Sequence, residues 1–286
     1  MNKPKRDRPK DYIAELGISF KNDVAVYIER CHLEDGGYFF ARVLPSSGMD
    51  TYFAIKSLAI LGVKPEREPE TVGFFMKNIV NARTEGIAGI FAAVGVLKEL
   101  GGLTDEVKNY SSLRIRAFQN RTGGFGAYEN IDVEVTSELQ ETYQAVSILN
   151  TVGAKPDEEK VSRFVSGLLN ADGGYGRDGH STGASTFYAT AIQKLIGVDR
   201  GKPGITRDYL RRREENWQVN FLEELYWLVG SLANIGEKPK YPDKISGFVS
   251  ECLRANGGFT RFTEMGITTL EYTYYALEVM KNTGII

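Results

Sequence analysis

Two kinds of apolar pattern alternate along the chain. One is amphipathic. In Asp157–Leu169 the apolar residues Val161, Phe164, Val165 and Leu168 fall at i, i+3, i+4 and i+7, with Lys160, Ser162 and Arg163 outside the stripe, which is the spacing of one helical face. Asp23–Arg30, Thr71–Val80, Asp105–Phe118, Thr206–Glu215 and Asp243–Leu253 are of the same kind. Each opens on Asp or Thr, residues that cap helix N-termini. The other kind is apolar over most of its circumference: Met49–Leu61, Ile87–Leu100, Ser137–Val152, Ser185–Ile196, Leu222–Ile235 and Thr268–Lys281. A helix with so little polar face is surrounded by protein. Several run into glycine, at Gly62, Gly101, Gly153, Gly197 and Gly236, as a left-handed C-terminal cap prefers. The pattern therefore predicts an all-α chain of paired helices, one half-exposed and one buried in each pair.

Each pair is a copy of one repeat. A double glycine followed by an aromatic residue stands at Gly36-Gly37-Tyr38, Gly123-Gly124-Phe125, Gly173-Gly174-Tyr175 and Gly257-Gly258-Phe259, at intervals of 87, 50 and 84 residues. Half of each long interval is roughly 43 residues, so each hides a degenerate copy. These hidden copies enter their buried helices at Thr84-Glu85-Gly86 and at Asn216–Asn220. Six helical hairpins result. An open stack needs polar caps at both ends, and the last copy, ending at Ile285-Ile286, has none. The expected fold is a closed (α/α)6 toroid, a barrel of six hairpins in one domain at 13–286, after a flexible N-terminal tail at 1–12. Double glycine lets the chain turn sharply from outer to inner helix, with positive φ at little cost.

Composition narrows the function classes. Of 286 residues, 42% are hydrophobic and 25% charged, with a net charge of −2; no global charge steers the chain to nucleic acid. The basic run Met1–Lys10 reads as part of the tail. No apolar run reaches the roughly 18 residues of a membrane span, and no secretory signal follows Met1, which points to the cytoplasm. Cys31 and Cys252 each lie five residues before a Gly-Gly pair. They hold the same place in two copies, too far apart for a disulfide, and read as small core residues.

Four buried helices also share a Thr-aromatic-x-Ala run: Thr51-Tyr52-Phe53-Ala54, Thr142-Tyr143-Gln144-Ala145, Thr186-Phe187-Tyr188-Ala189 and Thr273-Tyr274-Tyr275-Ala276. With the Gly-Gly-aromatic turns, this resembles the prenyltransferase and squalene-cyclase repeat proteins, namely protein prenyltransferase β subunits and class II terpene cyclases, over about Asp23–Gly284. The resemblance implies a toroid whose aromatic-lined funnel accepts a hydrophobic isoprenoid-like molecule. It also implies a possible helical protein partner, since prenyltransferase β subunits pair with a helical α subunit. Protein prenyltransferases hold zinc with Asp and Cys at the start of the fifth inner helix and His in the sixth. The matching places here are Phe221, Glu223 and Tyr272, so neither zinc nor another cofactor is expected. Class II cyclases protonate an alkene with Asp-x-Asp-Asp; the nearest run, Asp132-Val133-Glu134-Val135, lacks the paired carboxylates.

The candidate site residues follow from helical register. Gln140, Tyr143, Gln144, Ser147 and Asn150 form a polar stripe on an otherwise apolar helix, facing either a cavity or solvent. Tyr52, Tyr188, Trp227, Tyr272 and Tyr275 face the same way on other inner helices, and Ser185 opens the fourth. Arg177 and His180 in the fourth loop and Arg261 in the sixth suit a diphosphate, because cationic forks match phosphate geometry; Arg177 stands where the resembled family places basic residues. Carboxylates gather at inner-helix N-termini: Asp50, Glu85, Glu138, Glu141, Glu223, Glu224 and Glu271. Favourable contact with the helix dipole, about 0.3–1 kcal/mol each, accounts for them. Alternatively, Glu223 or Glu271, desolvated in a funnel, has a raised pKa and serves as general acid. Lys56 reads as a snorkelling or anion-binding cation, and Arg211-Arg212-Arg213 as a solvated face. Two other readings remain open: a carbohydrate-active (α/α)6 enzyme with a carboxylate pair about 5–10 Å apart, and a non-catalytic interaction scaffold.

Overall fold

The structure is a computed structural model and describes residues 12–81, 86–127, 138–198 and 203–286. The described residues form twelve α-helices and no strand. The outer set is α1 (Tyr12–Glu29), α3 (Glu68–Phe75, running on into a π-helical turn at Met76–Asn81), α5 (Asp105–Arg116), α7 (Glu158–Ser166), α9 (Pro203–Glu215) and α11 (Pro242–Cys252). The inner set is α2 (Gly48–Leu61), α4 (Ile87–Glu99), α6 (Leu139–Thr151), α8 (Gly183–Leu195), α10 (Leu222–Asn234) and α12 (Leu270–Thr283). Each inner helix packs on the next, α12 packs back on α2, and α11 meets α1. The toroid is closed.

Closure depends on the glycine turns. The first glycine of each pair has positive φ, 91° at Gly173 and 89° at Gly257. A Cβ on Gly173 would run into the main-chain carbonyl of Ile205 in α9; one on Gly257 would meet that of Asp23 in α1. Each turn thus docks on the backbone of the following outer helix, and the last docks on the first. Phe20 of α1 seals the joint edge-on against Phe259, with ring centroids 6.4 Å apart.

The aromatic residue of each triplet is buried, and a threonine of the following inner helix holds its backbone. The amides of Tyr38, Phe125, Tyr175 and Phe259 donate to Oγ1 of Thr51, Thr142, Thr186 and Thr273 at 2.9, 3.0, 3.1 and 3.2 Å. Each threonine hydroxyl donates in turn to the carbonyl one turn back, at 2.6–2.7 Å. The threonine of the repeated motif therefore satisfies a buried amide that would otherwise cost about 1–3 kcal/mol. Ser47, Thr104, Asp157, Thr182 and Thr269 each cap a helix by accepting a first-turn amide; of the six Asp and Thr residues expected to open the outer helices only Asp157 does so, the others lying within their helices. The five helix-ending glycines have φ between 65° and 78°.

Cys31 and Cys252 are free and buried, and their carbonyls accept equivalent turn amides, from Phe39 and Thr260. Burial pushes the Cys252 thiol up to about 12.

Three local expectations change. Helix α1 begins at Tyr12, not Asp23, and Phe20, buried ahead of Asp23, belongs to its apolar face; the rest of the tail, 1–11, lies outside the described residues, as do Thr84, Glu85 and the Asp132–Val135 run. Arg211 is not on a solvated face: it pairs with Glu214 at 2.8 Å and Glu237 at 2.5 Å, and Glu214 is buried. Lys56 neither snorkels freely nor waits for an anion; it pairs with Glu99 of the neighbouring inner helix at 2.7 Å. No helix among the described residues is long and apolar enough to cross a membrane.

Candidate functional site

The inner helices share one register, so equivalent residues meet at the centre. The position after the motif threonine, or its equivalent, holds Tyr52, Phe91, Tyr143, Phe187, Tyr226 and Tyr274. Their rings form a closed circuit, with successive centroids 4.9, 6.0, 6.2, 4.9, 6.1 and 6.0 Å apart from Tyr52 back to Tyr52. These separations lie within the range of attractive aromatic pairs. Two glycines make room for the circuit: a Cβ on Gly95 or Gly230 would stand 2.7 or 2.6 Å from the ring of Tyr52 or Phe187.

A cavity of about 330 Å³ lies against this aromatic layer. Phe53, Tyr188 and Tyr275 add rings to its wall, and Tyr275 stacks on Tyr226 at 4.4 Å. Its polar lining is Asp50, Gln140, Gln144 and Glu271 together with the tyrosine hydroxyls. Burial raises the phenol of Tyr143 to about 12 and pushes those of Tyr52, Tyr226 and Tyr274 higher. All of these phenols are therefore neutral donors at physiological pH. Burial also lifts Asp50 to about 6; a hydrogen bond donated by the Phe40 backbone amide opposes the rise, and the charge of Glu271 adds to it. Glu271 accepts the Tyr275 hydroxyl at 2.8 Å.

A second recess, of about 620 Å³, shares Gln140 and Tyr188 with the cavity and so continues it outward. Arg177, His180 and Ser185 line it. Arg177 pairs with Glu138 at 3.0 Å, and Ser185 belongs to the cap of α8, its amide donating to Thr182 Oγ1 at 3.0 Å.

Sequence comparison decides the family. The model described as "Prenyltransferase alpha-alpha toroid domain" matches residues 13–78, 78–212 and 207–284. The chain belongs to that family. No curated protein matches the chain by sequence. Among solved structures, this family member is similar to Candida albicans protein geranylgeranyltransferase-I complexed with GGPP, at 16% identity over 92% of this chain and 90% of that one, with a TM-score of 0.71. It is also similar to the type II terpene cyclase MstE from Scytonema in its apo form, at 8% identity over 94% and 99% of the two chains, TM-score 0.66. A variant of MstE in complex with geranylgeranyl dihydroxybenzoate gives 9% identity over 97% and 99%, TM-score 0.60. Identities this low speak for the fold.

Against that toroid fold, the expected site residues separate into three groups. Tyr52, Gln140, Tyr143, Tyr188, Tyr275 and Glu271 line the cavity, and Arg177, His180 and Ser185 line the recess beside it. Glu223, Trp227, Tyr272 and Arg261 do not line the cavity. Glu223 Oε1 takes the guanidinium of Arg261 at 2.5 Å, which stacks 4.3 Å from the Phe221 ring. Glu223 Oε2 and Trp227 Nε1 are buried without a hydrogen-bond partner. The expectation also omitted Phe91, Phe187, Tyr226 and Tyr274 from the lumen. Aligning the two degenerate copies on the motif threonine, at Ile90 and Leu225, finds Phe91 and Tyr226, whereas Phe187 and Tyr274 follow the threonine of intact copies in the register of Tyr52 and Tyr143. Asp50 was noticed only as a helix-dipole residue.

Proposed function

We propose that this chain holds the hydrocarbon tail of an isoprenoid against the six-ring layer, with an anionic head group directed to Arg177 and His180. The observation that carries the reading is the closed aromatic circuit under a cavity to whose other walls Phe53, Tyr188 and Tyr275 add rings. Such a surface receives an apolar chain by area burial, about 25 cal/mol per Å², and the π-faces tolerate any positive charge that develops on it. The titles of the similar structures, one with GGPP and one with geranylgeranyl dihydroxybenzoate, name ligands of the same chemical class.

The reading dispenses with zinc. At the three places where protein prenyltransferases hold it, Phe221 offers a ring packed on Phe262, Glu223 is engaged by Arg261, and Tyr272 carries a phenol whose pKa burial raises. A guanidinium already stands beside the single carboxylate, and this set does not fit a tetrahedral zinc site. Among the described residues no three His, Cys, Asp or Glu side chains gather as metal ligands.

Thermal unfolding with geranylgeranyl or farnesyl diphosphate tests the proposal. A native-state ligand at about 100 times its Kd adds about 2.7 kcal/mol, a shift of several degrees for a chain of this size. No shift at about 100 μM, a concentration well above a micromolar Kd, refutes the isoprenoid reading. Elemental analysis of the purified protein tests the zinc statement; one zinc per chain overturns it.

A further inference from the structure

We infer that Asp50 on α2 and Glu271 on α12 form a subsite for the protonated amine of an apolar ligand. The inference uses the cavity described above and stands apart from the isoprenoid diphosphate reading.

Ring closure creates the pair. The two residues come from opposite ends of the chain, in the first turns of α2 and α12, and meet because α12 packs back on α2. Both line the aromatic cavity, and no Lys, Arg or His lines it with them. Their hydrogen bonds come from neutral donors, the Phe40 amide and the Tyr275 hydroxyl. Arg42, in the loop before α2, is engaged with Cys31. Buried carboxylates are normally matched by a cation, and here the wall supplies none. Asp50 is 9% exposed.

The rings specify the kind of cation. Tyr52, Phe53, Tyr274 and Tyr275 flank the two acids in the same wall, with Phe53 and Tyr274 rings 5.5 Å apart and Phe53 and Tyr275 5.9 Å apart. Aromatic faces next to carboxylates select an organic ammonium carrying apolar substituents. A small hydrated metal ion would instead demand more oxygen ligands than two carboxylates provide. The elevated pKa of Asp50 supports the assignment, since a cation beside the carboxyl would pull it back down. The recess lined by Arg177 and His180 lies between the third and fourth repeats, away from the junction of the sixth and first, and Glu138, Glu141 and Asp178 line it too.

Three ligands with the same ten-carbon chain separate the possibilities: geranylamine, geraniol and geranyl phosphate, titrated calorimetrically into the full chain at pH 7.5, where the amine is protonated. The expected result is tenfold or tighter binding of geranylamine than of geraniol. In Asp50→Asn/Glu271→Gln that preference disappears. A native circular dichroism spectrum and cooperative unfolding show that the double variant retains its fold. Glu271→Gln alone, expected to lose part of the preference, serves if the double variant fails to fold. Equal affinity for amine and alcohol in the wild type, no binding of the amine, or a preference that persists in the carboxylate variants overturns the inference. Amine binding without any geranylgeranyl diphosphate binding would leave this subsite standing and remove the isoprenoid diphosphate reading.

Discussion

Two adjacent positions on the inner helices are kept differently around the ring. The threonine position holds Thr51, Thr142, Thr186 and Thr273 in the four copies with a double glycine, and Ile90 and Leu225 in the two copies without one. The next position is aromatic in all six. The threonine serves its own turn: it accepts one amide of the glycine-marked corner, and where that corner is absent an aliphatic residue packs as well. The aromatic residue serves the centre, where six helices share one space and a missing ring would open a gap on the axis. Adjacent residues in one repeat thus belong to different layers, one answering to the fold and the other to the lumen.

Substitutions in the two layers should separate. The largest effect is expected for Gly257→Val, which combines a positive φ with a clash against the Asp23 carbonyl. Each contributes about 1–3 kcal/mol, so denaturant unfolding should show a loss of about 3–5 kcal/mol or no folded protein. A loss under about 1 kcal/mol would disconnect the turn from ring closure. Next comes Thr186→Val, which strands the buried Tyr175 amide and should cost about 1–3 kcal/mol with little effect on ligand affinity. Tyr226→Leu should act on binding instead. Leucine is smaller than the ring and costs about 1–2 kcal/mol of stability, but it breaks the ring circuit and should weaken isoprenoid binding about tenfold, about 1.4 kcal/mol.

The smallest effect concerns Asp50. Its folded pKa of about 6 lies above the ordinary value of 3.8. Well below pH 3.8 the carboxyl is protonated in both states and costs nothing. As pH rises through 4 to 6 the unfolded chain loses its proton first, so folding carries a growing penalty that is complete above pH 6. Asp50→Asn should therefore raise the thermal midpoint by about 2–4 °C at pH 7.5 and leave it nearly unchanged at about pH 3, where the carboxyl is protonated in both states. An equal shift at both values would contradict the buried, raised carboxyl.

Much of this architecture was legible in the sequence because it is periodic. The Gly-Gly-aromatic triplets, the helix-ending glycines and the apolar inner helices report local rules that hold wherever they recur. The site was legible only in part. Tyr52, Tyr143, Tyr188 and Tyr275 were found through the intact copies, whereas Phe91 and Tyr226 sit in copies whose turn signal has eroded. The meeting of Asp50 with Glu271 depends on the joint between the chain's two ends, which no local pattern encodes. Arg261 on Glu223 is likewise set by the packing of one repeat on the next, and Arg211 on Glu237 by a contact distant in sequence, whereas Arg211 on Glu214 is an i,i+3 pair within α9. An ion pair between repeats is a property of packing, and a lone arginine in a sequence looks solvated until its neighbour is placed.

The most direct test of the central claim is equilibrium binding of geranylgeranyl diphosphate to the wild type and to Tyr226→Leu at matched stability. The six-ring layer predicts one ligand per chain with micromolar or tighter affinity, weakened about tenfold by the loss of a single ring. Absence of binding to the wild type, or identical affinity in the two proteins, would contradict it.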